Sequence, residues 1–307
     1  MKYINQIDGF ININKDAGIS SHDAVAAVRR LLRCKVGHAG TLDPAATGVL
    51  PICLGKATRL AEYVGLCSKS YRGEITFGIT TDSYDRAGEV ISRKSAEHLS
   101  LEDIKAALPR FRGQIMQEPP MVSALKYQGR PLYKFAREGV NIDRAPREVS
   151  IYDLGLVSWE IGGPHPRITL DIHCSKGTYI RSIAHDMGEA LGVGAHLSAL
   201  CRTFVGPFLL DNALTLEQFA SLLEAGDESW LLPMSYGISH IPEIIASNEQ
   251  VSKLIHGNTI FLDGEQEPYP LCRINTLSGE LIGMGKIEKD DAGSFCLVIN
   301  KVLVGAQ

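Results

Sequence analysis

Apolar and polar residues alternate over Gly9-Phe10-Ile11-Asn12-Ile13-Asn14-Lys15, the period of a half-buried strand. Ser20-Ser21-His22-Asp23 then sets a capping residue ahead of apolar positions at helical spacing through Leu32, which predicts a helix. A glycine-rich stretch, 37–48, runs into apolar Val49-Leu50-Pro51-Ile52-Cys53-Leu54. Residues 57–64 read as a second short helix. Alternation returns over 71–79 and 167–174, predicting two further strands. Leu99-Ser100-Leu101-Glu102-Asp103-Ile104 opens a helix that should stop before Pro109, and 178–191 and 215–223 are helical by spacing. Strands and helices are interspersed without regular βαβ units, and several strand pairs sit at hairpin spacing. The fold class expected is α+β with a mixed, largely antiparallel sheet.

From about Ile241 the texture changes to short strand candidates, 271–275, 281–287 and 295–304, separated by turns such as Leu277-Ser278-Gly279-Glu280. The division expected is a domain over 1–238 and a small β-rich domain over 239–307. The long polar stretch 117–147, rich in Pro, Gly and Arg, reads as a mobile surface insertion with a functional role.

Composition narrows this picture. The 307 residues are 45% hydrophobic and 21% charged, enough for a packed core. The first residues lack the basic-then-apolar pattern of a signal peptide, and no apolar run approaches the roughly 18 residues of a membrane helix. Seven scattered cysteines without a Cys-x-x-Cys argue against a disulfide framework or a zinc site and suit reduced thiols in a cytoplasmic protein. The net charge of −4 is not that of a polyanion binder, but its distribution is uneven. Residues 29–72 hold eight Lys or Arg against two acids, and 126–147 hold six against two. The two stretches together carry +10 and the remainder −14. One polyanion-binding face would produce this asymmetry, and so would two ordinary solvated surfaces.

The stretch 37–51 is the unusual one. Gly37, Gly40 and Gly48 permit backbone shapes closed to other residues, and Pro44 fixes the chain after Asp43. One carboxylate (Asp43), one imidazole (His38) and two hydroxyls (Thr41, Thr47) sit on this shaped loop. A rigid loop presenting a lone polar group is common at active sites, although a plain Asp-Pro turn would use the same residues.

Gly37-His38-Ala39-Gly40-Thr41-Leu42-Asp43-Pro44-Ala45-Ala46-Thr47-Gly48-Val49-Leu50-Pro51 resembles the signature of the TruB family, the tRNA pseudouridine synthases that modify the T-loop uridine at tRNA position 55. Four further stretches resemble family motifs in the family's order. They are Lys69-Ser70-Tyr71-Arg72, residues 120–129, Cys174-Ser175-Lys176-Gly177-Thr178-Tyr179-Ile180-Arg181-Ser182, and Gly194-Ala195-His196-Leu197 with Leu200-Cys201-Arg202-Thr203. Together they span roughly residues 9 to 210. The C-terminal segment, with Gly283-Met284-Gly285, is similar to a PUA domain, a small RNA-binding module. The chain departs from the family's Lys-Pro-x-Gly, carrying Lys15-Asp16-Ala17-Gly18. Aspartate leaves that loop less constrained and adds a negative charge near an expected phosphate-binding surface.

The resemblance implies an isomerase with Asp43 as catalytic carboxylate, attacking C1′ or C6 or first helping to remove a proton from C2′, with no cofactor and no metal. It implies that Arg181 pairs with Asp43, orienting it and holding its pKa low, and that Tyr71 stacks on the uracil and is a candidate general base. Tyr179 and Leu200 should line the base pocket, and His38 should contact the RNA near the flipped base. Lys15, Lys126, Arg130, Arg137 and Arg202 are expected RNA contacts, with the tRNA T-arm stem-loop as partner and a monomeric state. A chaperone that binds and folds tRNA, with catalysis secondary, is the alternative. An aspartyl phosphohydrolase is the rival enzyme class: Gly40-Thr41-Leu42-Asp43 superficially resembles the haloacid dehalogenase-like motif. That motif needs a second aspartate two residues away, where this chain has Thr41 and Ala45.

Overall fold

The computed structural model describes residues 7–262 and 267–304. Its main body is a nine-stranded sheet. The first strands are β1 (Gly9–Lys15), β2 (Val36–His38), β3 (Thr47–Leu54) and β4 (Lys69–Phe77). After a small hairpin, β5 (Ile79–Thr81) with β6 (Val90–Arg93), comes β7 (Gly113–Gln117). A second hairpin, β8 (Lys126–Tyr127) with β9 (Arg130–Pro131), precedes β10 (Arg147–Glu160), β11 (Arg167–Cys174), β12 (Ala195–Val205) and β13 (Phe208–Leu209). The sheet order is β1-β3-β12-β4-β11-β10-β7, with β2 beside β3 and β13 beside β12. Its one parallel pairing, β3 with β12, covers only Thr47 opposite Cys201 and Gly48 opposite Arg202. The mixed, largely antiparallel α+β architecture is the expected one.

The helices are α1 (Ser21–Leu32), α2 (Ala61–Gly65), α3 (Leu101–Ala107), α4 (Leu132–Arg137), α5 (Ile180–Ala190), α6 (Leu216–Ala225) and α7 (Asn248–Ile255). Four of them start with reciprocal capping boxes: Ser20 with Asp23, Ser100 with Asp103, Thr215 with Gln218 and Ser247 with Gln250. Each box satisfies two orphan backbone donors and contributes roughly 1 kcal/mol. Alternation along β1 sends Ile11 and Ile13 to one face, where α1, α5 and α6 cover them. Phe10 goes to the other face, against Phe208, Ile238 and Met284.

A second sheet, β14 (Glu243–Ala246), β15 (Ile260–Phe261), β16 (Tyr269–Thr276), β17 (Leu281–Lys289) and β18 (Phe295–Val302), has the order β14-β16-β17-β18-β15. It encloses its own core around Leu254, Ile274, Ile287 and Leu297. Leu281, Met284 and Leu303 join it to the main body, and the Lys301 ammonium donates to the Arg59 carbonyl at 2.7 Å.

The differences from the sequence expectation have local causes. Residues 57–64 are not one helix but a 3-10 turn, Gly55–Arg59, followed by α2. Residues 117–147 carry a hairpin and α4 rather than only irregular backbone. The long strands β10 and β12 each carry two register shifts, which break the two-residue period that would have announced them. β3 is buried on both faces, so its run shows no alternation. No helix among the described residues is long and apolar enough to cross a membrane.

Gly48 is required by the parallel junction. Its φ is +102°, and a Cβ there would lie 2.2 Å from the Arg202 carbonyl oxygen. Gly48→Ala is expected to lower stability by roughly 2–4 kcal/mol, read as a fall in the urea midpoint at unchanged slope.

Candidate active site

The loop from Gly40 to Ala46 has almost no regular structure, so its carbonyls need donors from elsewhere. Arg202, fully buried, supplies several: Nη2 donates to Gly40 O at 3.0 Å, Nη1 to Thr41 O at 3.3 Å and Nε to Val49 O at 2.8 Å. Lys15, also fully buried, donates to Asp16 O at 2.7 Å, Ile19 O at 2.8 Å and Pro44 O at 3.3 Å. Between them, the Ser21 hydroxyl donates to Leu42 O and accepts from Leu42 N. Ala46 N donates to Asp43 O at 3.0 Å, and Gly18 N to Pro44 O at 2.8 Å. Asp43 is thus held on a loop whose every carbonyl from Gly40 to Pro44 has a partner.

These contacts correct two expectations. Lys15 and Arg202 are not exposed RNA contacts; they are interior struts that donate to backbone carbonyls, and Arg202 also hydrogen-bonds the Tyr71 hydroxyl. Asp16 takes part through its carbonyl, a contact that proline could make equally well, so the departure at this position leaves Lys15 held.

Arg181 lies in the first turn of α5 and is buried. Its Nε is 3.0 Å from Asp43 Oδ2, and its Nη1 is 3.5 Å from Asp85 Oδ2 while donating to Ser83 O at 3.2 Å. The helix start is fixed by Gln117, whose side-chain amide donates to Tyr179 O and accepts from Tyr179 N. The Ser182 hydroxyl donates to Glu118 O at 2.8 Å. A cavity of about 190 Å³ opens over Asp43, walled by Tyr71, Tyr179, Ile180, Leu200 and Ser123. Tyr71, on β4, is cross-strand to Arg202, and Leu200 to Gly73. One sheet face therefore presents Tyr71 and Leu200 to the cavity.

Burial pushes the Asp43 carboxyl above its ordinary value of 3.8. Arg181 pulls it back, Asp85 pushes it further up, and Lys15 and Arg202 pull it down. The side chain is 42% exposed, but into the recessed cavity rather than open solvent. The direction is the reverse of the low pKa expected from the ion pair, because desolvation outweighs the one guanidinium. Burial likewise pushes the Tyr71 hydroxyl up, with Arg202 pulling it down.

The cavity brings together Asp43, Tyr71, Tyr179, Arg181 and Leu200. It does not include His38, which stands on β2 with its ring 5.7 Å from that of His22. Burial first, then His22 and Arg202, lower the His38 pKa. Lys126 and Arg137 are exposed on the 117–147 segment. Arg130 is ion-paired with Glu138 and lies 4.6 Å over the Phe135 ring, while Arg137 lies 5.4 Å over Tyr133. Sequence reasoning missed Asp85, Ser83 and Gln117. The run Thr80-Thr81-Asp82-Ser83-Tyr84-Asp85, dense in acids and hydroxyls directly after a predicted strand, was the available signal. Among the described residues no group of three or more His, Cys, Asp or Glu side chains is arranged to hold a metal ion.

The fold is shared with solved structures of an RNP and of a protein complex. A structure of an H/ACA RNP bound to a substrate RNA containing 2'-deoxyuridine matches with a TM-score of 0.73 at 27% identity, covering 97% of this chain and 85% of that one. A Cbf5-Nop10-Gar1 complex matches with a TM-score of 0.73 at 29% identity, covering 96% and 85%. The family model for the TruB pseudouridylate synthase N-terminal domain matches residues 29–180, and that for the tRNA pseudouridylate synthase B C-terminal domain matches 181–238. A tRNA pseudouridine synthase B of Moorella thermoacetica is 43% identical over 96% of this chain and 99% of its own. One of Symbiobacterium thermophilum is 48% identical over 82% and 83%. The chain belongs to the TruB family of pseudouridylate synthases.

Asp43 is expected to titrate above 3.8, its carboxylate form being lost as pH falls through that raised value. Asp85→Asn removes a neighbouring negative charge and should move the midpoint down. Carboxyl-carbon NMR of the labelled protein reads both; an unmoved midpoint in the variant contradicts the role given to Asp85.

Proposed function

We propose that this protein isomerises the uridine at position 55 in the T loop of tRNA to pseudouridine, with no cofactor. The observation that carries this reading is the Asp43 carboxylate, fixed 3.0 Å from a buried Arg181 at the floor of a cavity walled by Tyr71, Tyr179 and Leu200. The target base leaves its stack to enter, at a cost of a few kcal/mol that is smaller in a loop than in a duplex. The N1–C1′ bond breaks, the uracil turns, C5 bonds to C1′, and the C5 proton is lost while N1 gains one, so substrate and product are isomers. Asp43 meets the electron-poor centre, as carboxylates do in glycoside chemistry. Arg181 aims it. Tyr71 stacks on the ring; its raised hydroxyl pKa favours that role over service as the base. Tyr179 and Leu200 exclude water, and His38 meets the RNA outside the cavity wall.

The partner is the T-arm stem-loop, bound by a monomeric cytoplasmic protein. Several basic residues do not serve that binding, since Lys15, Lys69 and Arg202 are buried and Arg72 pairs with Asp171. The exposed cations Arg30, Lys35, Lys126, Lys134, Arg137 and Arg147 remain for phosphates. We assign residues 1–238 to catalysis and 239–307 to a PUA-like domain that extends the RNA contact.

Purified protein and an unmodified tRNA transcript should convert one T-loop uridine without added cofactor. Asp43→Asn should reduce conversion by several orders of magnitude while changing RNA affinity little. Full activity in that variant sinks the assignment, whereas retained binding and refolding without conversion shows the chaperone role beside the catalytic one. Affinity should also fall steeply with salt, by roughly 0.7–0.9 in log K per unit log salt for each phosphate neutralised; a flat response refutes the basic face.

A further inference from the structure

The loop between β5 and β6 delivers Asp85 to Arg181, and it turns on a residue in an unusual conformation. Tyr84 has φ +63°, the left-handed region that a bulky side chain rarely adopts. Its neighbours on both sides face the same guanidinium: the Ser83 carbonyl at 3.2 Å and the Asp85 carboxylate at 3.5 Å. A left-handed residue between them reverses the chain so that both can do so. Local bonds close the turn on itself. Asp85 Oδ1 accepts from the Ser83 hydroxyl and from Ala87 N, and the Thr81 hydroxyl donates to Asp85 O. Those bonds fix the shape of the turn but do not fix it against α5.

Two other contacts give it a place. On one side Leu197 N, from β12, donates to Tyr84 O at 2.9 Å, and Arg86 N to Leu197 O at 3.0 Å. On the other side the Tyr84 ring lies flat on His185, with centroids 3.9 Å apart and planes 8° from parallel. His185 is four residues after Arg181 on α5, hence on the same helix face. Neither ring lines the cavity.

We propose that the Tyr84–His185 stack is the positioning device of the Asp43–Arg181–Asp85 network: it seats the left-handed turn against α5 so that Ser83 and Asp85 bracket Arg181 and leave its Nε for Asp43. Tyr84 and His185 are positioning residues, acting through Asp85 and Arg181 without touching the substrate. The inference rests on the proposed isomerase reading for its kinetic consequence but not for its structural one.

The test uses the full chain and two readouts. Tyr84→Gly keeps the left-handed backbone without strain and deletes only the ring; His185→Ala deletes the other half of the stack, and Tyr84→Phe keeps it. On a tRNA transcript, Tyr84→Gly and His185→Ala should each lower kcat by about tenfold or more with KM little changed, and Tyr84→Phe should stay within about twofold of the parent. The groups facing Asp43 are Arg181, Asp85, Lys15 and Arg202. Seating Asp85 less well should therefore move the Asp43 midpoint in carboxyl-carbon NMR down, as Asp85→Asn does. In Tyr84→Gly/Asp85→Asn the loss should not exceed that of Asp85→Asn alone by more than about twofold, because both changes act on one contact. Full additivity in the double variant, a Tyr84→Phe as damaged as Tyr84→Gly, or an Asp43 midpoint unmoved in Tyr84→Gly overturns the proposal. A parent protein that converts no uridine but shows the predicted midpoint shifts overturns the isomerase reading and leaves the positioning role standing.

Discussion

Two buried cations that donate to main-chain carbonyls hold the site together. Charges taken out of water are costly unless their donors are spent on good acceptors. Lys15 and Arg202 meet that requirement with main-chain carbonyls, three each. The reverse is equally important. A loop with no regular structure has carbonyls that need donors, and the carbonyls of Gly40, Thr41 and Pro44 find them in these two side chains. Cation and loop are each unstable in this setting without the other. Removing Arg202 takes the donors from the carbonyls of Gly40, Thr41 and Val49, at a cost of up to about 1–3 kcal/mol each, whereas Pro44 O keeps Gly18 N if Lys15 is lost.

The clamp also shapes the chemistry. Lys15 and Arg202 both pull the Asp43 carboxyl down, yet their charge is partly spent on backbone dipoles, and burial still prevails. A carboxylate raised by desolvation and steadied by Arg181 is poorly hydrated without being neutralised, the condition in which it interacts most strongly with a developing positive centre. Asp85 shares Arg181 with Asp43 and weakens the neutralisation further. The network therefore orients Asp43 without pairing it so completely that it becomes inert.

Much of this was legible in the sequence. The glycine-shaped loop, the cap of α1, the helical spacing of α3 and α6, and the alternating strands β1 and β11 follow from local periodicity and cap chemistry, and the motifs brought Asp43, Tyr71, Arg181, Tyr179 and Leu200 together in advance. What remained hidden was where charge goes when the chain closes. Lys15 and Arg202 look like surface cations because nothing local marks a lysine or arginine as interior. Their burial follows from Lys15 lying at the end of β1 beside the loop, and from Arg202 lying between Gly48 and Tyr71 across three strands. The low pKa expected for Asp43 failed for the same reason: pairing can be inferred from a motif, but desolvation is a property of the packed cavity. β10 and β12 escaped because their bulges break the period on which strand recognition depends.

Those bulges are part of how the site arises. β3 and β12 are parallel neighbours for only two residue pairs, and a register shift in β12 lies between Leu197 and Ala199, just before Leu200. Parallel strands in a sheet otherwise laced antiparallel have no hairpin to close the gap where they part. The chain entering β3 must come from elsewhere, and here it is the clamped loop bearing Asp43. The cavity is thus floored by that loop, walled by Leu200 on β12 and Tyr71 on the adjacent β4, and bounded by the first turn of α5. Gly48 permits the strands to touch at all, since its Cβ position is taken by the Arg202 backbone. The geometry of the candidate site is a consequence of one topological irregularity, and the buried cations are what make that irregularity tolerable.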